Sequence, residues 1–150
     1  MTFIVYLDLS TNSFVGSLST TLGFMSQLTH LSFFDNSLTS IIPSELGRLT
    51  TLQVLDLGSN LLTGTIPTDI GLMTSLAGLS FYNNRLTGTI PTQLENLARL
   101  EFLYIDSNSL TGTVPSGICS LGLQEFWSDC AEVSCTCCTQ CCNDQLGCVR

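Results

Sequence analysis

The chain contains no lysine, and charge of either sign is scarce. Twelve acidic residues stand against four arginines in 150 residues, which gives a net charge of −8. A surface with so little positive charge does not attract a phosphate backbone, so nucleic acid is excluded as a partner. No apolar run approaches the roughly 20 residues that span a bilayer. The opening MTFIVYLDLS lacks the basic flank and cleavage site of a signal peptide, so we expect no such peptide in this chain.

The sequence also lacks the motifs of catalysis. No P-loop, GxGxxG, HExxH, GxSxG or calcium-loop pattern occurs. The single histidine, His30, would need a nucleophile and an orienting acid to act as a base, and Asp8 is the nearest candidate acid. Asp8 and Asp56 could form a glycosidase-like pair, but an open surface gives little shelter for tuning their pKa values. The sequence therefore predicts a non-catalytic protein with no catalytic residues and no cofactor or metal.

One pattern repeats at a fixed period along most of the chain. The hexapeptide LTGTIP occurs at 62–67 and 86–91, and LTGTVP follows at 110–115. One apolar column at this period is Leu7, Leu31, Leu55, Leu79 and Leu103. A second column holds asparagines, namely Asn12, Asn36, Asn60, Asn84 and Asn108. A fixed period of this length indicates a solenoid, in which each coil covers the core of the next.

Each repeat carries its own local signals. The stretch LxLxxN alternates apolar and polar residues, which predicts a short strand with its leucines toward the core. The asparagine amide can satisfy backbone groups at the turn, so stacked copies predict an asparagine ladder. Glycine recurs where the chain bends again, but repeat two has Ser40 there. A proline followed by Ser or Thr, as in Pro43 and Ser44, predicts a helical turn capped by the hydroxyl residue.

The full pattern L-x-x-L-x-L-x-x-N-x-L-x-G-x-I-P-x-x-L-G is best matched by LTTLQVLDLGSNLLTGTIPTDIG at 49–71. It resembles the plant-type, 24-residue leucine-rich repeat, and the resemblance extends roughly from position 5 to position 121. The resemblance implies an α/β solenoid, a right-handed superhelix of about five coils with a parallel β-sheet on its concave face and a disulfide-rich C-terminal cap.

Two regions follow from these patterns. Residues 1–121 are predicted to hold five repeats, the first incomplete on its N-terminal side, and residues 122–150 a cysteine-rich cap. The stretch FIVYLDL is already a strand, so no cap precedes the first coil. We expect further repeats or a partner to cover that coil, because the chain is a fragment of a longer array, a truncated gene product or one subunit of a complex.

All cysteines fall in the last part of the chain: Cys119, Cys130, Cys135, Cys137, Cys138, Cys141, Cys142 and Cys148. An even count at high density predicts disulfides and an oxidising, extracellular compartment. Cys119 is expected to pair with Cys130, its nearest neighbour in sequence, and the other pairings stay open. Four apolar residues are expected to close the last coil: Leu121, Leu123, Phe126 and Trp127.

A metal site is the alternative for this tail. The CxC at 135–137 and the CxxC at 138–141 could supply four thiolates to zinc or an iron–sulfur cluster. The segment SDCAEVSCTCCTQCC also resembles the cysteine-rich ends of leucine-rich repeat proteins from diatoms and related algae, whereas plant receptors usually close with a simpler pair of cysteines.

The outward positions of the predicted concave face carry aromatic and acidic side chains, which favour interfaces. They are predicted to bind a protein, peptide or glycan: Tyr6, Asp8, His30, Phe34, Asp35, Asp56, Tyr82, Phe102, Tyr104 and Asp106. The function predicted is recognition by an extracellular or cell-surface protein, in an adhesive, receptor-like or inhibitory role.

Two other functions remain open. One is a structural spacer of a wall or matrix, cross-linked between chains through the cysteine tail. The other is ice or mineral binding by the paired threonines of the TGT triplets: Thr63, Thr65, Thr87, Thr89, Thr111 and Thr113.

Overall fold

The protein folds as a stack of coils, seen here in a computed structural model that describes residues 4–130, 132–143 and 147–149, with side chains up to residue 141. One strand from each coil joins a single eight-stranded sheet. Its strands, in spatial order, are β1 (Tyr6–Asp8), β3 (His30–Ser32), β5 (Val54–Asp56), β7 (Gly78–Ser80), β9 (Phe102–Tyr104), β11 (Glu125–Asp129), β13 (Gln140–Asn143) and β14 (Gly147–Val149). The predicted solenoid with a parallel sheet is confirmed.

The pairing register places equivalent residues of successive repeats opposite each other on neighbouring strands. Leu7 lies opposite Leu31, and the same match runs through Leu55, Leu79 and Leu103. All pairs up to β13 are parallel, and β13 pairs antiparallel with β14. The leucine column points inward, and its last four members are at most 1% exposed. Each coil therefore buries its apolar residues against those of its neighbours.

The remaining elements form the side and the back of each coil. The lateral strands are β2 (Val15–Ser17), β4 (Ser37–Thr39), β6 (Thr63–Gly64), β8 (Arg85–Thr89), β10 (Ser109–Thr113) and β12 (Val133–Ser134). The back carries four 3₁₀ turns and one short α-helix: Thr20–Phe24, Ser44–Arg48, Thr68–Leu72, Thr92–Asn96 and α1 (Ser116–Cys119). No helix in the described ranges has the length and apolar character of a bilayer span.

The asparagine column joins neighbouring coils through backbone groups. The side-chain amide of Asn60 donates to the carbonyls of Leu57 and Gly58 in its own coil and to Phe33, one coil earlier. Its Oδ1 accepts from the backbone N–H of Leu38, also one coil earlier. Asn36, Asn84 and Asn108 repeat this arrangement. The ladder thus satisfies buried backbone groups where the chain leaves each strand.

The helical turns begin differently from the sequence expectation. Pro43, rather than Ser44, occupies the N-cap position, and the same holds for Pro67, Pro91 and Pro115. No side-chain hydrogen bond caps these four turns, because the Ser or Thr after each proline is already the first helical residue. Ser19 stands where repeat one lacks the proline, and its hydroxyl accepts from the Thr21 N–H. The N-cap prediction was therefore wrong wherever proline is present.

Ser40 adopts a left-handed conformation that suits glycine. Its φ is 75°, and the equivalent Gly64 has a φ of 78°. A side chain at such a φ costs about 1–2 kcal/mol, which glycine avoids.

We therefore expect Ser40→Gly to raise the free energy of unfolding by about 1 kcal/mol, measured by urea denaturation. Ser17→Gly is the matched control. Ser17 lies in a strand outside the left-handed region, so the same change should lower stability by about 0.5–1 kcal/mol. Equal losses at both positions would show that Ser40 is not strained.

The sheet continues into the region predicted to be only a cap. Glu125, Phe126 and Trp127 pair with Phe102, Leu103 and Tyr104, a step one residue shorter than the regular repeat. Phe126 is 1% exposed and extends the core, whereas Trp127, which was expected to close the last coil with it, lies on the outward side of β11. The predicted boundary at residue 121 stays a prediction, and the sheet runs across it.

The turn after each strand donates backbone hydrogen bonds to the next coil, and Asp129 supplies the acceptors for the last of these turns. In the preceding coil the N–H groups of Asn83 and Asn84 donate to the carbonyls of Asp106 and Ser107. The corresponding groups of Ser107 and Asn108 donate to the two carboxylate oxygens of Asp129, at 2.6 and 2.9 Å. A buried carboxylate thus replaces two backbone carbonyls at the last full coil.

Three disulfides hold the C-terminal region, which confirms disulfides there. They join Cys119 to Cys137, Cys130 to Cys141, and Cys135 to Cys138. The predicted pairing of Cys119 with Cys130 was wrong, because the chain after β11 returns Cys137 to α1. All four sulfurs of the alternative metal site are bonded in these disulfides. The side chains of Cys142 and Cys148 lie outside the described part of the chain.

Candidate functional site

A groove runs across the outward side of the eight-stranded sheet, here called the sheet face. Its first part is a depression of about 400 Å³, and a second of about 260 Å³ adjoins it. The two share Asp56, Ser80 and Tyr104. The combined lining is Phe34, Val54, Leu55, Asp56, Ala77, Gly78, Leu79, Ser80, Tyr82, Phe102, Tyr104, Glu125 and Trp127. Together they reach the size of ordinary ligand sites.

Small residues on one strand make the floor of the groove. Strand β7 presents Gly78 and Ser80 outward, between Val54 on β5 and Phe102 on β9. Within the described part of the chain, a Cβ placed on Gly78 would come within 4 Å only of the two methyl groups of Val54, at 3.9 Å. The space above Gly78 is therefore open. Larger side chains on both neighbouring strands turn this open position into a pit.

Tyr104 anchors a polar and aromatic cluster at the far end of the groove. Its hydroxyl donates to Glu125 Oε2 at 2.9 Å, and its ring meets Trp127 edge-on at 5.1 Å between centroids. Burial and the adjacent Glu125 carboxylate raise the pKa of Tyr104 to about 12. The phenol therefore stays protonated at neutral pH and keeps donating to Glu125. This bond fixes the direction of the carboxylate.

Asp56 supplies the carboxylate at the opposite part of the groove. Its Oδ1 accepts from the backbone N–H of Gly58 at 2.9 Å, which holds the side chain over β5. It lines both depressions. Asp56 and Glu125 thus place two oriented carboxylates on one face, with aromatic rings between them.

The N-terminal end of the sheet face has a separate pair of rings. Tyr6 and His30 stack with centroids 4.1 Å apart and planes 8° from parallel. Asp8 is exposed and lies two residues after Tyr6 on β1. Hydrogen bonds from Ser10 hold the pKa of the Asp8 carboxyl below its usual range, and the nearby His30 acts in the same direction. These three predicted residues lie together but outside the groove lining.

Two further predicted binding residues also do not line the groove. Asp35 is exposed in the turn after β3, at a φ of 55°. Asp106 was expected on the outward surface, but it is 1% exposed because the Asp129 coil packs beside it. Phe34, Asp56, Tyr82, Phe102 and Tyr104 do line the groove.

Burial of Asp106 has a consequence for stability. Loss of solvent raises the pKa of its carboxyl, and the Asp129 carboxylate acts in the same direction. Its Oδ1 has no hydrogen-bond partner among the described residues. The folded state therefore prefers the protonated acid. The stability from this preference is present below the unfolded pKa and is lost as the pH rises through the folded pKa.

We expect Asp106→Asn to raise the free energy of unfolding at neutral pH, because it removes a buried charge and keeps the shape. The gain should shrink as the pH falls and vanish below about 4, where the acid is protonated in both states. Urea denaturation across this pH range measures it. Asp69→Asn, on a 3₁₀ turn of the back, is the control. A gain that does not depend on pH would contradict the assignment.

Apart from Leu55 and Leu79 of the core column and Ala77 just before β7, five lining residues were not predicted to bind a ligand: Val54, Gly78, Ser80, Glu125 and Trp127. The first three occupy the outward columns of Tyr6 and Asp8, so reading every residue in those columns would have found them. Glu125 and Trp127 required knowledge of the shortened last step.

The threonine array lies on the lateral strands, away from the groove. The hydroxyl groups of Thr63, Thr87 and Thr111 lie 3.3–3.4 Å from backbone carbonyls of the preceding coil. Those donors serve the stacking of coils. Thr65, Thr89 and Thr113 are exposed, so ice or mineral binding through them stays an untested alternative.

The family follows from comparison with known repeat models. The leucine-rich repeat model matches residues 27–49, 51–73, 75–97 and 99–121, which together exceed half of the chain. The chain is a leucine-rich repeat protein. A comparison with curated proteins finds no match.

Solved structures similar to this leucine-rich repeat protein include plant receptor ectodomains. The ectodomain of the membrane receptor kinase GASSHO1/SCHENGEN3 from Arabidopsis thaliana, in complex with CASPARIAN STRIP INTEGRITY FACTOR 2, superposes with a TM-score of 0.83 and 37% identity, over 87% of this chain and 16% of that one. The Arabidopsis receptor kinase HAESA, in complex with the peptide hormone IDA and the co-receptor SERK1, superposes with a TM-score of 0.78 and 36% identity, over 83% of this chain and 21% of that one.

A shorter relative by structure is the BIR2 ectodomain from Arabidopsis thaliana, with a TM-score of 0.72 and 34% identity, over 74% of this chain and 58% of that one. This leucine-rich repeat protein thus spans less than two thirds of the length of each of these chains, and less than a quarter of the first two.

Proposed function

We propose that this leucine-rich repeat protein is a non-catalytic, extracellular recognition module that binds an extended peptide in the groove of the sheet face. The observation that carries the proposal is the groove itself. It crosses β5, β7, β9 and β11, has an open pit at Gly78, and is walled by aromatic rings. A long, shallow site of this shape suits an extended chain, and the aromatic walls supply contact area at little entropic cost.

The structural neighbours support a peptide among the possible ligands. The HAESA complex contains a peptide hormone, and the receptor RGFR1 was solved with RGF2 as a plant peptide hormone receptor. Those complexes involve much longer ectodomains, so co-receptor assembly and signalling remain properties of those proteins. What we carry over is only the class of ligand.

Selection from a random peptide display library on the disulfide-bonded protein tests the proposal. We expect enriched peptides whose affinity falls by more than about ten-fold when Phe102 and Tyr104 are both replaced by Ala. The double variant Thr65→Tyr and Thr89→Tyr, on the lateral threonine array, is the control and should bind normally. Binding that survives loss of the groove aromatics, or that is lost only in the threonine variant, would reject the groove as the site.

Oxidation of the cysteines is the second requirement of an extracellular role. Three disulfides use six of the eight cysteines within the chain, which leaves few sulfurs for cross-linking a structural matrix. We expect all eight cysteines to resist alkylation until the protein is reduced, as measured by intact mass. Four or more thiols reactive without reduction, with bound zinc or iron, would instead place function in the tail.

A further inference from the structure

We propose that the peptide taken by the groove is basic at two positions four residues apart, with an apolar side chain midway between them. This inference rests on the proposed function and names the chemistry of its ligand. It follows from the charge of the groove, the spacing of its carboxylates and the position of the pit.

The charge of the groove is negative and locally unbalanced. Asp56 and Glu125 belong to its lining, and none of the described arginines does, since Arg48, Arg85 and Arg99 lie elsewhere. Neither carboxylate forms an ion pair within the described part of the chain. The chain carries a net charge of −8, which adds a field of the same sign. A cationic partner is therefore attracted, and an anionic one is repelled.

The two carboxylates are held in place before a ligand arrives. Gly58 N–H donates to Asp56, and the Tyr104 hydroxyl donates to Glu125. One oxygen of each carboxylate is engaged in this way, which orients the group without neutralising its charge. Such groups lose little side-chain entropy on binding. The neighbouring rings of Tyr82, Tyr104 and Trp127 add faces on which a guanidinium can stack.

The spacing of the carboxylates sets the spacing of the ligand's charges. Asp56 lies on β5 and Glu125 on β11, three strands apart in the sheet order. Strands lie about 4.8 Å apart, so the separation perpendicular to the strands is roughly 14 Å. Glu125 lies in the row of Gly78 and Phe102, which is offset from Asp56 by two residues along the strands, so a peptide that contacts both carboxylates crosses the sheet obliquely over about 16 Å. An extended peptide advances about 3.4 Å per residue, so a spacing of four residues, about 14 Å, is the same-face spacing nearest to this span. In an extended chain, residues i, i+2 and i+4 also face the same side.

The pit lies between the two carboxylates. Gly78 is on β7, one strand from Asp56 and two strands from Glu125. Its open space is bounded by Val54 and Phe102, so it accepts an apolar side chain at i+2. The pattern that fits is Arg or Lys at i and i+4, with Leu or a similar residue at i+2.

Synthetic heptapeptides of matched length test this pattern. The first probe is Ser-Arg-Ser-Leu-Ser-Arg-Ser with blocked ends. In the second probe Gln replaces both arginines, in the third Glu replaces them, and in the fourth the second arginine moves by one residue to the opposite face. The only tryptophan of the chain is Trp127, which lines the groove, so its fluorescence reports binding and calorimetry supplies the affinity.

We expect the first probe to bind at least about ten-fold more tightly than the Gln probe and the shifted probe, and the Glu probe to bind least. The advantage should disappear in the double variant Asp56→Asn and Glu125→Gln and should shrink at high salt. Asp69→Asn with Glu95→Gln is the control, because it changes the net charge equally on the back of the coils. It should keep the preference for the first probe.

Three results would overturn the inference. If the Arg and Gln probes bind equally and both lose binding when Phe102 and Tyr104 are replaced, the ligand is not basic, but the groove remains the site. If the shifted probe binds as well as the first one, charge matters but the spacing does not. If no probe binds and display selection also enriches no peptide, both the basic ligand and the proposed function fail together.

Discussion

The Gly78→Leu variant is expected to lose peptide binding by more than about ten-fold while remaining as stable as the natural chain. Gly78 sits on the floor of the groove, and a Cβ there would make only ordinary contact with Val54, at 3.9 Å. Its φ lies outside the left-handed region, so a larger residue brings no backbone strain. The new side chain would occupy the space that a ligand needs.

Stability and affinity should therefore separate in this variant. Glycine in a strand is destabilising by about 0.5–1 kcal/mol, so the free energy of unfolding should stay equal or rise slightly. Calorimetry with peptides from the display selection measures affinity, and urea denaturation measures stability. Gln93→Leu adds the same side chain on the exposed back and should leave affinity intact. Normal binding by Gly78→Leu would show that the groove is not the peptide-binding site.

The second large effect concerns the asparagine ladder. Asn60→Ala is expected to lower the free energy of unfolding by about 3 kcal/mol or more. The side chain is 6% exposed and makes hydrogen bonds to three carbonyls and one N–H in two coils. Removing it leaves these buried backbone groups without partners, at about 1–3 kcal/mol for each group that water cannot reach.

Asn12→Ala is the matched control for this substitution. Asn12 is exposed, and its amide donates to Leu9 and Ser10 of its own coil. Its loss should cost less than about 1 kcal/mol. Urea denaturation of both variants, with the disulfides intact, makes the comparison. Similar losses at the two positions would mean that the ladder does not couple neighbouring coils.

The periodic part of the fold could be predicted because its physical cause is itself periodic. Each coil needs inward apolar residues at the same places, so the column of Leu31, Leu55 and Leu79 identifies the strands and the core together. The same reasoning predicted that Phe102 and Tyr104 face outward. Every element whose position depends only on stacking was therefore accessible from the sequence.

The remaining features of the fold and the groove could not be predicted, because they depend on departures from the repeat period or on residues with small side chains. Gly78 and Ser80 form the floor because they are small, and a small residue gives no signal until the large neighbours on both sides are placed. Trp127 was grouped with Phe126 as a residue that closes the last coil because both are apolar, and the shortened last step that decides which side each of them faces is visible only in the pairing register. Disulfide pairing also could not be predicted, since it depends on how the irregular chain after β11 brings Cys137 to Cys119.

Mapping of amide chemical shifts by NMR would locate the peptide on the protein. The protein would be titrated with the tightest peptide from the selection, with its disulfides intact. If the peptide lies across the sheet face, the largest shifts are expected at Val54, Gly78, Phe102 and Tyr104, and at the indole N–H of Trp127. Shifts confined to Thr65 and Thr89 on the lateral strands, or to the disulfide-bonded tail, would contradict this placement.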